Sequence, residues 1–128
     1  MKIESPEMLL PVLKKWSNKR QEHFIVCTFT SSNELIKAKV ITIGTVNNVM
    51  VHPREVFWEA IIKNAASIVL AHNHPSGNTF PSEQDERITE QLCEASKIMG
   101  IPILDHVIFA KNGNYYSFQE NGKIDNSL

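Results

Sequence analysis

Apolar and polar residues follow two different periods along the chain, and these periods predict alternating helices and strands. Near the start, Ser5 is suited to an N-cap and Pro6 to the first position of a helix. An apolar stripe at helical spacing continues this helix, and Pro11 within it is expected to cause a kink. The stripe consists of Met8, Leu9, Val12, Leu13 and Trp16.

Two runs rich in β-branched and aromatic residues predict a β-hairpin. Residues 22–30 form the first run and residues 35–43 the second, with turn-forming residues at 31–33 between them. Gly44 is expected to end the hairpin. A short strand near Asn48 to Val51 is expected to follow.

Helical and strand patterns continue to alternate in the second half of the chain. Pro53 suits the first position of a helix running to about Ala65, and residues 67–71 form a continuous apolar run of strand length. A second long helix is predicted from Pro81 and Ser82 to Gly100, with apolar residues recurring at helical spacing. Its apolar positions are Ile88, Leu92, Ala95 and Met99.

The last strands are predicted around the dipeptide Asn112-Gly113, a strong signal for a hairpin turn. Apolar runs at 101–104 and 106–110 precede this turn, and residues 115–118 follow it. Because helices alternate with strands while hairpins also occur, the fold class is α/β with a mixed sheet flanked by helices.

Length and composition describe an ordinary globular chain. With 128 residues, 42% hydrophobic and 21% charged residues and a mean hydropathy of -0.20, the sequence predicts one domain, without membrane-grade apolarity. The first residues lack the apolar segment of a secretory signal, so a cytoplasmic location and no membrane partner are expected. Cys27 and Cys93 are most simply free, buried thiols.

The net charge of -1 gives the chain no global attraction to nucleic acid. Residues 1–66 carry a net charge of +3 and residues 67–128 one of -4, counted as Lys and Arg minus Asp and Glu. One basic cluster is present, and a solvated helix face is favoured for it over a phosphate-binding patch. It comprises Lys14, Lys15, Lys19 and Arg20.

The segment AHNHPSGNTFPSEQD carries the candidate chemistry. His72 and His74 lie two residues apart on a predicted strand, so both imidazoles project to the same face and Asn73 points the other way. Ten residues separate His74 from Asp85, enough for a loop that returns a carboxylate. Two imidazoles and one carboxylate leave a fourth position open, which is typical of a catalytic Zn²⁺ site.

A hydrolytic metal site also needs a proton carrier that is not itself a ligand. Glu22, which opens the first strand, is the candidate general base, while Glu34, Glu55 and Glu59 remain alternatives that spacing does not exclude. Ser82 has two interpretations. Ser-x-x-Asp at a helix start resembles a capping box, which is favoured, and the same hydroxyl could stabilise an oxyanion.

Three further polar residues have simpler interpretations. Asn73 could satisfy loop backbone groups, and His106 is expected to be a half-buried partner of its neighbours rather than a ligand. His52 is expected to cap a helix or to lie on the surface.

The spacing from His72 to Asp85 resembles the JAMM motif of the MPN+ (JAB) metalloprotease superfamily. The segments GTVNNVMVHPREVF, NAASIVLAHNHPSG, PSEQD and LDHVIF narrow the resemblance to the RadC family, formerly described as DNA repair proteins. The resemblance covers residues 5–118, and residues 119–128 form a polar tail. It implies that His72, His74 and Asp85 bind zinc, that Ser82 assists the tetrahedral intermediate and that Glu22 activates water.

The resemblance further implies a curved mixed sheet in a JAB/MPN fold related to cytidine deaminases, and a peptide or isopeptide bond as substrate. Longer relatives carry a helix-hairpin-helix region, for which this chain has no room, so an excised domain or a short paralogue is expected. The alternative to a hydrolase is a non-enzymatic protein of DNA repair or mobile elements with a structural metal, in which the basic cluster contacts nucleic acid. An exposed sheet edge makes a homodimer plausible.

Overall fold

The computed structural model describes residues 2–47 and 50–124, which form three α-helices and a five-stranded sheet. The helices are α1 (Pro6–Leu13), α2 (Pro53–Ile62) and α3 (Glu83–Met99), and a 3-10 turn covers Lys14–Trp16. The strands are β1 (His23–Phe29), β2 (Leu35–Ile43), β3 (Ser67–Asn73), β4 (Ile103–Phe109) and β5 (Tyr115–Ser117).

The sheet has the strand order β2-β1-β3-β4-β5 and is mixed, as the sequence predicts. Only the pairing of β3 with β4 is parallel, and helix α3 makes the crossover between them, while the other three pairings are antiparallel. All seven residues of β3 are buried, which agrees with the prediction of a central strand. This α/β architecture confirms the predicted fold class.

Both faces of the sheet are covered, because alternate residues of the central strands belong to two separate apolar clusters. On one face Phe24 and Leu70 pack with helices α2 and α3, through residues such as Phe57 and Leu92. On the opposite face the sheet packs against α1. That second cluster includes Leu9, Leu13, Ile25, Cys27, Val69, Ala71, Val107 and Phe109. The molecule is therefore a three-layer sandwich with a buried β3 at its centre.

The ends of two helices and one short predicted strand differ most from the sequence predictions. The first helix is α-helical only to Leu13, with Pro11 inside it, and the predicted stripe ends in the 3-10 turn. Helix α2 begins at Pro53 as predicted but ends at Ile62, because Asn64 adopts a positive φ of 52° before Ala65. Of the predicted strand at 48–51, Asn48 and Val49 lie outside the described residues, while Met50 and Val51 lie in a turn and a coil segment.

Helix α3 carries the start and stop signals that the sequence predicts. Ser82 is the N-cap, and its hydroxyl and the Asp85 carboxylate form a reciprocal capping box. Gly100 ends the helix in the left-handed conformation with φ 70°, which costs least at glycine. This helix start lies beside the end of β3 and fixes where the Asp85 side chain points.

Both cysteines are free thiols. Cys27, on β1, is buried between the sheet and α1, and Cys93, on α3, is half-buried. Burial raises the pKa of the Cys27 thiol to about 12. Packing continues beyond Phe118, since Ile124 is buried against the α2 and α3 face of the sheet, and the last four residues of the predicted polar tail lie outside the described residues.

The basic cluster lies on the surface, with Lys14, Lys15, Lys19 and Arg20 all exposed. None of the helices in the described part of the chain combines the length and apolarity that crossing a membrane requires.

Candidate metal centre

Strand β3 and its antiparallel neighbour β1 bring the candidate chemistry together at one end of the sheet. His72 pairs with Phe24 across the two strands, and in that register Glu22 falls opposite His74. Glu22 and His74 each lie two positions from the paired residues Phe24 and His72. Because strand side chains alternate between faces, Glu22, His72 and His74 all point to the face that α3 covers. The first turn of α3 then adds Asp85 from above.

Three side chains converge at this end of the sheet. The Nε2 atoms of His72 and His74 are 3.1 Å apart, Oδ2 of Asp85 lies 3.1 Å from Nε2 of His74, and Oδ1 of Asp85 lies 3.3 Å from Nε2 of His72. Zinc bound tetrahedrally at about 2.0 to 2.2 Å holds its ligand atoms about 3.3 to 3.6 Å apart. The separations in the structure, 3.1 to 3.3 Å, are close to these values, so the residues present fit a zinc ion.

Hydrogen bonds on the far side of each imidazole orient the lone pairs toward this point. Nδ1 of His74 donates to the carbonyl of Asn78 at 2.7 Å, which leaves Nε2 unprotonated in the neutral ring. Nδ1 of His72 lies 2.8 Å from Nε2 of the buried His106. Partners of this kind fix ring orientation and tautomer in metal sites.

The electrostatics of the cluster favour a cation between the three groups. Burial alone would raise the pKa of Asp85, but the adjacent imidazoles of His72 and His74 and the Ser82 backbone N–H hold its pKa far below its usual range. Burial likewise opposes protonation of His74, yet the carboxylate of Asp85 and the carbonyl of Asn78 raise its pKa. The negative charge of Asp85 therefore attracts a cation, either a proton or a metal ion, to this site.

Glu22 lies beside the three converging atoms rather than among them. Its Oε2 is 3.8 Å from Nε2 of His74, and one carboxylate oxygen lies within 4.8 Å of both imidazoles. Its Oε1 accepts the backbone N–H of Val46 at 3.0 Å, which holds the carboxylate in place. Glu22, His72 and His74 form one group of side chains that could hold a metal ion, and Asp85 contacts the imidazole of His74 more closely than Glu22 does, at 3.1 Å against 3.8 Å.

Asn73 braces the segment that carries Glu22. As expected, it points to the opposite face from the two histidines, where its Oδ1 accepts the His23 N–H at 2.6 Å. Its Nδ2 donates to the Gln21 carbonyl at 3.1 Å and toward the Lys19 carbonyl at 3.4 Å. The amide therefore holds the residues on both sides of Glu22 and satisfies loop backbone groups.

The three alternative acids lie elsewhere. Glu59 is buried under β2 and pairs with Lys39 at 3.0 Å, and Glu55 lines a groove between α2 and β2 together with Trp58. Glu34 lies in the turn before β2, where its backbone forms an isolated antiparallel β-bridge with the backbone of Lys2. Of the four glutamates considered as general base, Glu22 is the one that the fold places beside His74.

Ser82 makes the capping interaction that the sequence favours. Its Oγ accepts the Asp85 N–H at 3.0 Å, and its own N–H donates to the Asp85 carboxylate at 2.9 Å. Ser82 also lines an open cleft of about 370 Å³ above the site. The other lining residues are Glu22, Thr45, Val46, His74, Pro75, Ser76, Gln84 and Asp85. The hydroxyl keeps a proton that it can donate into this cleft.

His106 and Thr89 are buried behind the imidazole of His72 and the backbone of Asp85. His106 is fully buried rather than half-buried, and its Nδ1 lies 2.6 Å from the Thr89 hydroxyl. Burial, reinforced by the neighbouring His72, holds the pKa of His106 well below its usual range. Sequence reasoning missed Thr89, although its spacing of four residues from Asp85 on α3 places both on one helix face.

The remaining two histidines, His52 and His23, have simple environments. His52 occupies the N-cap position of α2 without a side-chain capping bond and is exposed. His23 points away from the cluster, and its Nδ1 contacts the Gln21 carbonyl at 3.0 Å.

The fold and the site together define an α/β protein with a candidate metal centre at the end of its sheet. Residues 3–123 match the RadC-like JAB domain family, and the chain belongs to that family.

Curated relatives agree with this assignment. The chain is 47% identical over 113 residues to a UPF0758 protein of Methanospirillum hungatei, covering 87% of this chain and 50% of that protein. It is 47% identical over 123 residues to a UPF0758 protein of Rubrobacter xylanophilus, covering 95% and 53% respectively. A UPF0758 protein of Clostridium acetobutylicum is 44% identical over 125 residues, covering 97% and 54%. The chain thus spans about half the length of the curated relatives it matches.

Proposed function

We propose that the protein is a zinc-dependent hydrolase that cleaves a peptide or isopeptide bond. The observation that carries this proposal is the convergence of two imidazole nitrogens and one carboxylate within 3.1 to 3.3 Å, beside a second carboxylate and an open cleft. Three protein ligands with an open position are typical of catalytic rather than structural zinc. Membership of the RadC-like JAB domain family supports the same chemistry.

His72, His74 and Asp85 would hold the metal. Zinc in such a site acts as a Lewis acid and makes water nucleophilic near neutral pH. Glu22 then works as general base, because its Oε1 is held by Val46 while Oε2 faces the histidines. The same carboxylic acid returns the proton to the departing amine.

Ser82 and the cleft bind the reacting carbonyl. The Ser82 hydroxyl donates its proton to the carbonyl oxygen, where negative charge develops when the amide is attacked. The N-terminus of α3 adds a favourable field for that charge. Thr45 and Pro75 line the same cleft as Glu22 and Ser82, and an extended substrate chain would lie across it.

The test is turnover by zinc-loaded protein, using a pool of fluorogenic peptides and a peptide joined through a lysine side-chain amide. Glu22→Gln keeps the bond from Val46 but removes the base, so the cleavage rate should fall about 100 to 10,000-fold while zinc remains bound. Glu34→Gln is the matched control, because Glu34 is exposed and lies at the far end of β1 and β2.

Two results would contradict the proposal. Zinc-loaded protein that cleaves none of these amide substrates would remove the hydrolase assignment. Equal loss of cleavage in the Glu22 and Glu34 variants would remove Glu22 as the general base.

A further inference from the structure

A chain of hydrogen bonds runs behind the candidate metal centre and connects two of its ligands. Nδ1 of His72 lies 2.8 Å from Nε2 of His106, and Nδ1 of His106 lies 2.6 Å from Oγ1 of Thr89. Oγ1 of Thr89 donates to the carbonyl of Asp85 at 2.7 Å. The chain therefore starts on one proposed ligand and ends on the backbone of another.

The direction of every proton in this chain follows from its last contact. A carbonyl cannot donate, so the 2.7 Å contact requires the single hydroxyl proton of Thr89 to point to Asp85. The Thr89 oxygen can then only accept from His106, which places a proton on Nδ1 of His106, and in the neutral form of this fully buried ring Nε2 is the acceptor. His72 must donate from Nδ1, and its Nε2 keeps a lone pair for the metal.

The surroundings of His106 hold the ring in the orientation that this chain needs. Its ring stacks on Phe118, with centroids 4.8 Å apart and an interplanar angle of 11°, and meets the edge of Phe24 at 5.6 Å. His106 and Thr89 are 0% and 2% exposed, so water does not compete for their polar atoms. A buried polar pair of this kind requires mutual hydrogen bonds, and here both partners have them.

We propose that Thr89 and His106 are positioning residues that fix the tautomer of His72 and thereby prepare the metal centre. The inference rests on the proposed metal centre for its purpose, but the proton arrangement itself is a property of the metal-free protein. Thr89 also ties the arrangement to α3, because the carbonyl it binds belongs to Asp85. A shift of α3 would thus disturb one ligand directly and another through His106.

The first experiment detects the tautomer in metal-free protein by long-range proton–nitrogen NMR of the histidine rings. We expect the wild type to carry a proton on Nδ1 of His106, facing Thr89, and none on Nε2, which faces His72. A proton on Nε2 of His106 would overturn the proposal, because His72 could then no longer donate to it. This measurement needs no metal and no variant, so it decides whether the proposed proton arrangement exists even if the protein proves not to bind zinc.

The second experiment compares zinc affinities by competition with a chelator. Thr89→Val preserves the shape of the side chain but removes the hydroxyl, and we expect zinc affinity to fall 10 to 100-fold. Thr89→Ser restores the hydroxyl and should recover most of that affinity. Ser96→Ala is the matched control, because it removes another buried hydroxyl that donates to a carbonyl of α3, that of Cys93.

The outcomes separate the two proposals. Loss of affinity in Thr89→Val but not in Ser96→Ala, with rescue by Thr89→Ser, supports a positioning role. Equal affinities in the wild type and Thr89→Val would overturn it. A wild type that binds no zinc would contradict the proposed hydrolase, while the NMR tautomer would still show whether the hydrogen-bond chain runs as proposed.

Discussion

The carboxylate of Asp85 takes part both in the cap of α3 and in the candidate metal centre. Its Oδ2 accepts the Ser82 N–H and lies 3.1 Å from Nε2 of His74. The helix cap therefore holds the carboxylate in the orientation that the candidate metal centre needs. Ligand geometry and helix start are coupled at this residue.

This coupling can be separated by substitution. Asp85→Asn keeps an oxygen that can accept the Ser82 N–H but loses the negative charge, so helix α3 should persist while zinc affinity falls more than about 100-fold, beyond the usual effect of a residue behind the ligands. Circular dichroism and chelator competition measure the two effects. Zinc binding by Asp85→Asn at wild-type strength would show that Asp85 is not a ligand.

At the scale of elements, the start of α3 depends on the capping box between Ser82 and Asp85. Ser82→Ala removes the acceptor for the Asp85 N–H at the N-terminus of a 17-residue helix. We expect the free energy of unfolding to fall by about 1 kcal/mol, measured by urea denaturation. An unchanged unfolding midpoint would mean that the cap contributes nothing to stability.

Helix α2 is tied to the edge strand β2 by a buried carboxylate. Glu59 accepts from Lys39 at 3.0 Å and lies 3.8 Å from Lys37, and the hydrogen bond from Lys39 outweighs burial and lowers the pKa of Glu59 below its ordinary value of 4.5. A lowered folded-state pKa stabilises the protein above about pH 4.5, and this contribution disappears as the pH falls through the lowered pKa.

Glu59→Gln should therefore be less stable than the wild type at pH 7, by about 1 kcal/mol since both lysines are partly exposed. The difference should shrink steadily below pH 4.5 as the wild-type carboxylate becomes protonated. Urea denaturation of both proteins between pH 3 and pH 7 measures this convergence. A difference that stays constant over the range would show that the charge of Glu59 does not matter.

Local patterns predicted the elements and part of the site. The bounds of β2 match the predicted run at 35–43, and the alternation of strand side chains placed His72 and His74 on one face. The choice of Glu22 among four acids could not be derived from spacing, because it depends on the register that sets Glu22 opposite His74. The contact of Thr89 with His106 could not be predicted from the sequence, because His106 lies on β4 and only the packed fold brings that strand beside α3.

At the scale of the whole molecule, the candidate metal centre joins the sheet to α3, so a metal ion bound there would stabilise the fold. A ligand that binds only the folded state stabilises it by mass action, by about 2.7 kcal/mol at a free concentration of 100 times Kd. For a domain of this length that corresponds to a rise in Tm of roughly 10 °C.

Calorimetry with added zinc should show this rise, and removal of zinc with a chelator should reverse it. The same addition to His74→Ala should leave Tm unchanged, because one of the three converging ligand atoms is missing. A rise of equal size in both proteins would place the zinc that stabilises the fold outside the proposed centre.

The most direct test of the central claim is anomalous diffraction at the zinc edge from a crystal of the zinc-loaded protein. The account predicts one strong peak about 2.0 to 2.2 Å from Nε2 of His72, Nε2 of His74 and a carboxylate oxygen of Asp85, with Glu22 outside bonding distance. A peak elsewhere, or one that Asp85 does not reach, would contradict it.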